Sequence, residues 1–163
     1  MAEIWDIVDK DGHDTGMRCI RGEGKKIPNG LYHPCVEIWV VIDDRLLITQ
    51  RHPDKHEGLK YDVPGGAVVS GEAISDGAMR ELYEEVGILA SSGELIYLGA
   101  IAVDNVYAAS YLLRLDSLPT LTLQAAEVVG YKTVTAEELE NMSAELTKGT
   151  WRRYNLYKNK LFG

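Results

Sequence analysis

The sequence is poor in cysteine. Cys19 and Cys35 are its only two, too few and too isolated for a disulfide framework or a cysteine zinc site. Both are expected to be free thiols in a reducing, cytoplasmic setting. Long apolar runs are lacking too: none approaches the roughly 18 to 20 residues of a membrane span, so no membrane partner is expected. The opening residues, with Glu3, Trp5 and Asp6, lack the basic-then-apolar order of a secretory signal. Positive charge is in deficit, with 17 Lys and Arg against 25 Asp and Glu and a net charge of −8. That balance argues against a protein that grips a nucleic-acid polymer by general electrostatics. An acidic chain can still bind a polyphosphate if divalent cations stand between the two sets of negative charges, which directs attention to clustered carboxylates. Repeats, low-complexity tracts and linkers rich in Pro or Ser are absent.

What remains has the composition of an ordinary globular chain, 45% apolar and 26% charged. Its 163 residues are expected to form one domain, with a hairpin and loop over 1–33 and a core over 34–163. Residues 4–8 alternate like a short strand, Asp9-Lys10-Asp11-Gly12 turns the chain, and 15–20 return. Residues 21–33 read as a connecting loop. Strands are expected over 36–42 and 46–50 around an Asp43-Asp44 turn. A polar loop follows over 51–60, then a short strand over 61–63 ended by Pro64-Gly65-Gly66. Residues 73–86 form a helix, because Ala78, Leu82 and Val86 share one face and Gly87 stands just past its end. Three more strands fall near 94–103, 106–115 and 127–134. Thr135 with Glu138 forms a capping box opening a helix of about ten residues, and a last helix covers roughly 147–161. Strands and helices do not alternate regularly, so the fold class is α+β, a mixed sheet with helices packed on it.

The informative segment runs from Gly65 to Ile88. Glu81, Glu84 and Glu85 stand at i, i+3 and i+4, so their carboxylates leave one side of the helix. Like charges at that spacing repel by a few tenths of a kcal/mol per pair, and Arg80 offsets only part of it. The cluster becomes favourable when hard cations share its oxygens, as Mg²⁺ does beside substrate phosphates. Glu72 is placed to reach back to Arg80, and the paired glycines allow the backbone close to the same point. The solvated face of an amphipathic helix would also explain acidic residues here. It would not explain glycines, an upstream glutamate, an arginine and three glutamates at set distances.

The segment resembles the Nudix box, Gly-x5-Glu-x7-Arg-Glu-U-x-Glu-Glu-x-Gly-U with U a bulky aliphatic residue. Gly66, Glu72, Arg80, Glu81, Leu82, Glu84, Glu85, Gly87 and Ile88 fill all nine specified positions over 23 residues. The resemblance implies an α/β/α sandwich around a mixed sheet, with the box as a loop-helix-loop. It implies a hydrolase of a diphosphate linkage in a small molecule, using Mg²⁺ or Mn²⁺. Glu84 and Glu85 would hold the cation, with Glu81 a further ligand or the base that activates water. Gly66 would lend its carbonyl, and Arg80, braced by Glu72, would orient the carboxylates. Members of the family differ in which residue is the base, and Glu127 is the candidate outside the box, with Asp104 second.

The opening residues 3–12, with Thr15-Gly16 and Tyr32-His33, are similar to the Nudix branch of isopentenyl-diphosphate isomerase. That chemistry needs a cysteine and, two places on, a histidine just before the box glutamate. The matching positions here are Gly65 and Ala67, so hydrolysis is the better reading. A non-catalytic nucleotide-binding module on the same fold is a further alternative. His52, Asp54 and His56 are read as a solvated loop or a substrate lid. Trp39 is placed in the core, and the aromatic residues among Arg152, Arg153, Lys158 and Lys160 are read as the buried face of an amphipathic helix. The assembly state is left open between a monomer and a homodimer.

Overall fold

A computed structural model describes residues 1–24 and 26–163. Strands β1 (Ile4–Val8) and β2 (Asp14–Ile20) form the antiparallel N-terminal hairpin. Its turn is held by the Asp9 carboxylate, which accepts the N–H groups of Asp11 at 2.9 Å and His13 at 3.0 Å. Gly12 has φ 84°, and a Cβ there would lie 2.7 Å from the Tyr107 ring. Glycine is therefore what lets the hairpin turn close onto the main sheet.

That sheet has seven strands: β3 (His33–Ile42), β4 (Arg45–Arg51), β5 (Tyr61–Asp62), β6 (Gly65–Ala67), β7 (Ile96–Val103), β8 (Val106–Leu115) and β9 (Val128–Val134). The order is β5-β4-β3-β8-β7, with β6 also on β3 and β9 also on β4. β3 and β8 run parallel from His33↔Val106 to Ile42↔Leu115, while the other pairings are antiparallel. The sheet is mixed, as expected.

Helix α1 (Ile74–Val86) lies on one face, and α2 (Ala136–Asn141) and α3 (Lys148–Leu161) on the other. β3 is buried on both faces, and its alternation divides the core in two. Val36, Ile38 and Val40 pack towards α1 with Ala78, Leu82 and Val86, all three helix residues at 0% exposure. Trp39 and Val41 pack towards α3 with Tyr154, Tyr157 and Leu161. Trp39 is thus a core residue, and the C-terminal aromatic residues are the inner face of an amphipathic helix. This is the α/β/α arrangement.

Most boundaries fall within one or two residues of expectation, and three elements differ further. β3 begins at His33 rather than Val36, because the His33 N–H bonds to the carbonyl of Asn105 and draws the strand onto β8. Gly65–Ala67 is a strand, not a terminator, and pairs Gly65 with Glu37 and Ala67 with Cys35. The Thr135–Glu138 capping box is present, but α2 has six residues and passes into a 3₁₀ turn, Ser143–Glu145. α1 ends at Gly87, whose φ of 78° places its N–H on the Tyr83 carbonyl. No helix among the described residues is long and apolar enough to cross a membrane.

Candidate active site

The second half of α1 carries Arg80, Glu81, Glu84 and Glu85 beside β6. Arg80 organises them. Its Nε and Nη2 grip both oxygens of Glu72 at 2.7 and 2.9 Å, and Nη2 also reaches the Ala67 carbonyl at 3.0 Å. Its Nη1 donates to Glu81 at 2.8 Å and to Glu84 at 3.1 Å. Burial alone would raise the Glu72 carboxyl; the Arg80 hydrogen bonds and the Val69 N–H hold it below its ordinary value. The upstream glutamate and the arginine therefore form the expected brace.

Glu81 lies against Gly66, where a Cβ would come 2.5 Å from its carboxylate. A side chain there would have to displace that carboxylate. Burial raises the Glu81 carboxyl above its ordinary value, Arg80 opposes that, and the Glu84 charge adds to it. Glu85 is 8% exposed and accepts the Gly65 N–H at 3.0 Å. Burial pushes its carboxyl up to about 8 against that hydrogen bond, with the charges of Asp62 and Glu81 contributing. Glu84 remains the most solvent-facing of the three.

The donor set available to a cation is Glu81, Glu84, Glu85 and the Gly66 carbonyl, all oxygen, which suits Mg²⁺ or Mn²⁺. The space kept open at Gly66 and the buried, proton-retaining Glu85 both fit a site completed by positive charge. The three carboxylates are not drawn to one point: Glu81 and Glu84 turn to Arg80, and Glu85 turns to Gly65. Among the described residues, the one set of three ligand-type side chains within 4.8 Å of one another is Asp9, Asp11 and His13, on the exposed hairpin turn. Their closeness follows from the turn-forming hydrogen bonds of Asp9.

Further charged groups stand around this cluster. Asp62 on β5 pairs with Arg51 at 2.7 Å and accepts from Thr49 at 3.2 Å. Burial raises its carboxyl and Arg51 opposes. Lys55, from the polar loop between β4 and β5, is ion-paired with Glu127. Burial lowers its pKa, as does the charge of Arg51, while Glu85 and Asp62 act the other way. The loop thus brings a cation towards the box carboxylates. Glu127 sits immediately before β9, its carbonyl accepting the His52 N–H at 2.9 Å. Asp104 lies in the exposed β7–β8 turn at φ 53°. The His52 ring is 3.7 Å from Asp54 and joins no metal-type cluster among the described residues. His33 stacks on Trp5 at 4.3 Å and lies 3.4 Å from the Cys35 sulfur. Both cysteines are free, and burial pushes the Cys35 thiol up to about 12.

The sequence by itself does not single out Asp62, Arg51, Lys55 or Glu37. Glu37 is 5% exposed on β3 and accepts from Ser110 at 2.5 Å, Trp39 at 3.1 Å and Arg153 at 2.6 Å. A glutamate inside the apolar run 36–42 is the available signal, since such a charge is retained only when paired. An open pocket of about 340 Å³ between α2 and the C-terminal end of α3, lined by Glu140, Tyr154 and Phe162 among others, shares no residue with the box.

The mixed sheet lies between helices, and the glycine-backed helix α1 carries the three box glutamates beside β6. The NUDIX domain profile matches residues 31–159. The chain is 30% identical over 181 residues to an uncharacterized Nudix hydrolase of Clostridium acetobutylicum, covering 96% of this chain and 86% of that one. In fold it resembles a Deinococcus radiodurans protein, with TM-score 0.75 and 23% identity over 93% of this chain and 98% of that one. It also resembles a Francisella tularensis bifunctional NMN adenylyltransferase/ADP ribose pyrophosphatase, solved with AMP and a manganese ion. There the TM-score is 0.67 and the identity 19%, over 80% of this chain and 42% of that one. The chain belongs to the Nudix hydrolase family.

Proposed function

We propose that this enzyme is a divalent-cation-dependent hydrolase of a nucleoside-diphosphate-type small molecule, opening the diphosphate linkage by attack of water on phosphorus. The observation that carries the reading is the packing of Glu81 and Glu85 against the backbone of Gly65 and Gly66, with Arg80 braced between Glu72 and the box carboxylates. Glu84, Glu85, Glu81 and the Gly66 carbonyl would hold Mg²⁺ or Mn²⁺. A cation there neutralises bridging phosphate oxygens and makes water a better nucleophile. The Francisella neighbour of the same fold was itself solved with AMP and a manganese ion.

Glu81 suits the role of general base. Its carboxyl is raised by burial, which makes it a better proton acceptor than an ordinary glutamate. Arg80 orients it. Glu127 is the base candidate outside the box, although its carboxylate is taken up by Lys55. An isomerase reading is disfavoured by Gly65 and Ala67 at the positions where that chemistry needs cysteine and histidine.

The test is phosphate or pyrophosphate release from nucleoside di- and triphosphates, dinucleoside polyphosphates, nucleotide sugars, NADH and isopentenyl diphosphate. Reactions contain Mg²⁺, Mn²⁺ or chelator, beside Glu85→Gln. Metal-dependent turnover that disappears in the variant supports the hydrolase. Tight binding of one nucleotide with no turnover under any condition would leave a binding module instead.

A further inference from the structure

Arg153, near the start of α3, is held in an unusual way. Its Nε donates to Glu37 at 2.6 Å, and its side chain is 20% exposed. Glu37 is saturated, since Ser110 and Trp39 also donate to it. β3 and β8 thus fix the carboxylate, and the carboxylate fixes the arginine. Arginine usually meets a carboxylate with two parallel N–H groups. Here, among the described residues, only Nε has a protein acceptor. No buried side-chain nitrogen or oxygen among them lacks a partner, so both Nη groups open to solvent.

The sheet relates the anchor of that edge to the box. Glu37 pairs with Gly65, whose N–H holds Glu85, so one ladder step separates the anchor of Arg153 from the box carboxylates. Cys35, two residues along the same face of β3, feels the charges of both Arg153 and Glu81. The guanidinium also lies over Gly149, where a Cβ would come 3.1 Å from Nη1 and from Nη2. A simple staple between helix and sheet would need the ion pair. It would need neither an unused planar edge nor a helical glycine beneath it.

We propose that Arg153 is a substrate-binding residue whose free guanidinium edge receives phosphoryl oxygens of the diphosphate held beside Glu81 and Glu85. Glu37 is its positioning residue, and the assignment rests on the hydrolase reading of that site. A planar fork held by one nitrogen presents its remaining donors at the spacing of two phosphate oxygens.

The probe is imidodiphosphate, whose bridging nitrogen resists hydrolysis, titrated calorimetrically with Mg²⁺ into wild type, Arg153→Ala, Arg153→Lys and Gly149→Ala. Arg153→Ala is expected to weaken binding by about tenfold or more, the loss of a charge-assisted hydrogen bond. Lysine restores only part, because it lacks the fork, and free guanidinium ion partly rescues the alanine variant. Mn²⁺ affinity without imidodiphosphate stays at the wild-type value, and with any substrate turned over KM rises more than kcat falls. Gly149→Ala, which improves helix propensity, weakens imidodiphosphate binding by crowding the guanidinium. It keeps the assignment testable if Arg153→Ala fails to fold. Wild-type affinity in either variant, or a parallel loss of Mn²⁺ binding in a folded Arg153→Ala, overturns the assignment. Metal-dependent turnover in wild type alongside such a result leaves the hydrolase reading standing.

Discussion

Glu85 should make cation binding strongly dependent on pH. Its carboxyl, buried beside Gly65, is pushed up to about 8 in the absence of a cation. A cation that takes its oxygens must first expel the proton. With a carboxyl at about 8, the apparent affinity for Mg²⁺ or Mn²⁺ falls by about tenfold for each unit of pH below that point, or about 25-fold from pH 8.5 to 6.5. Glu81, also raised by burial, acts in the same direction. The stability of the cation-free protein should run the other way. The folded state holds this proton more tightly than an exposed carboxyl with the ordinary value of 4.5. The stabilisation is therefore fully present below that value and is lost as pH rises towards about 8. Calorimetric titration of Mn²⁺ in two buffers of different ionisation enthalpy counts the protons released, which should approach one per cation at pH 6.5 and vanish well above pH 8. Glu85→Gln should bind the cation weakly and with little pH dependence, and its cation-free melting temperature should no longer fall over that range. A wild-type affinity that is flat between pH 6.5 and 8.5, with no proton released, would refute the argument.

Gly66→Ala places a Cβ 2.5 Å from the Glu81 carboxylate. It should turn Glu81 away and weaken cation binding, readable by titration, with a thermal melt to confirm that the fold is kept. Leu82→Ala opens a hole under the box helix at a residue with 0% exposure and should cost about 2–5 kcal/mol in denaturant unfolding. The two base candidates are separable by pH–rate profiles. Glu81→Gln should lower kcat by about a hundredfold or more and remove the acidic limb, whereas Glu127→Gln should retain that limb. A retained limb in Glu81→Gln and a lost one in Glu127→Gln would exchange their roles.

The parts of the fold written in local spacing are legible in the sequence itself. The stripe Ala78, Leu82, Val86 defines α1 and its buried face, Thr135 with Glu138 defines a helix start, and the box spacing puts three glutamates on one side of α1. Ion pairs between residues distant in sequence are not legible there, because nothing local encodes them. Arg153 and Glu37 meet across 116 residues of sequence, and Lys55 meets Glu127 from a loop that reads as merely polar. The strand Gly65–Ala67 is hidden by its composition. Two glycines after a proline look like a stop, and only pairing with Cys35, Val36 and Glu37 makes them extended.

The central parallel pair has a kinetic meaning. Glu37 and Ser110, neighbours across β3 and β8, are 73 residues apart in sequence, and the whole box lies in the loop between them. The middle of the sheet cannot zip until that loop has closed, and non-local parallel pairing is intrinsically slow to nucleate. The loop that must close contains β6 and α1, so the box segment lies within the span whose closure entropy precedes that pairing.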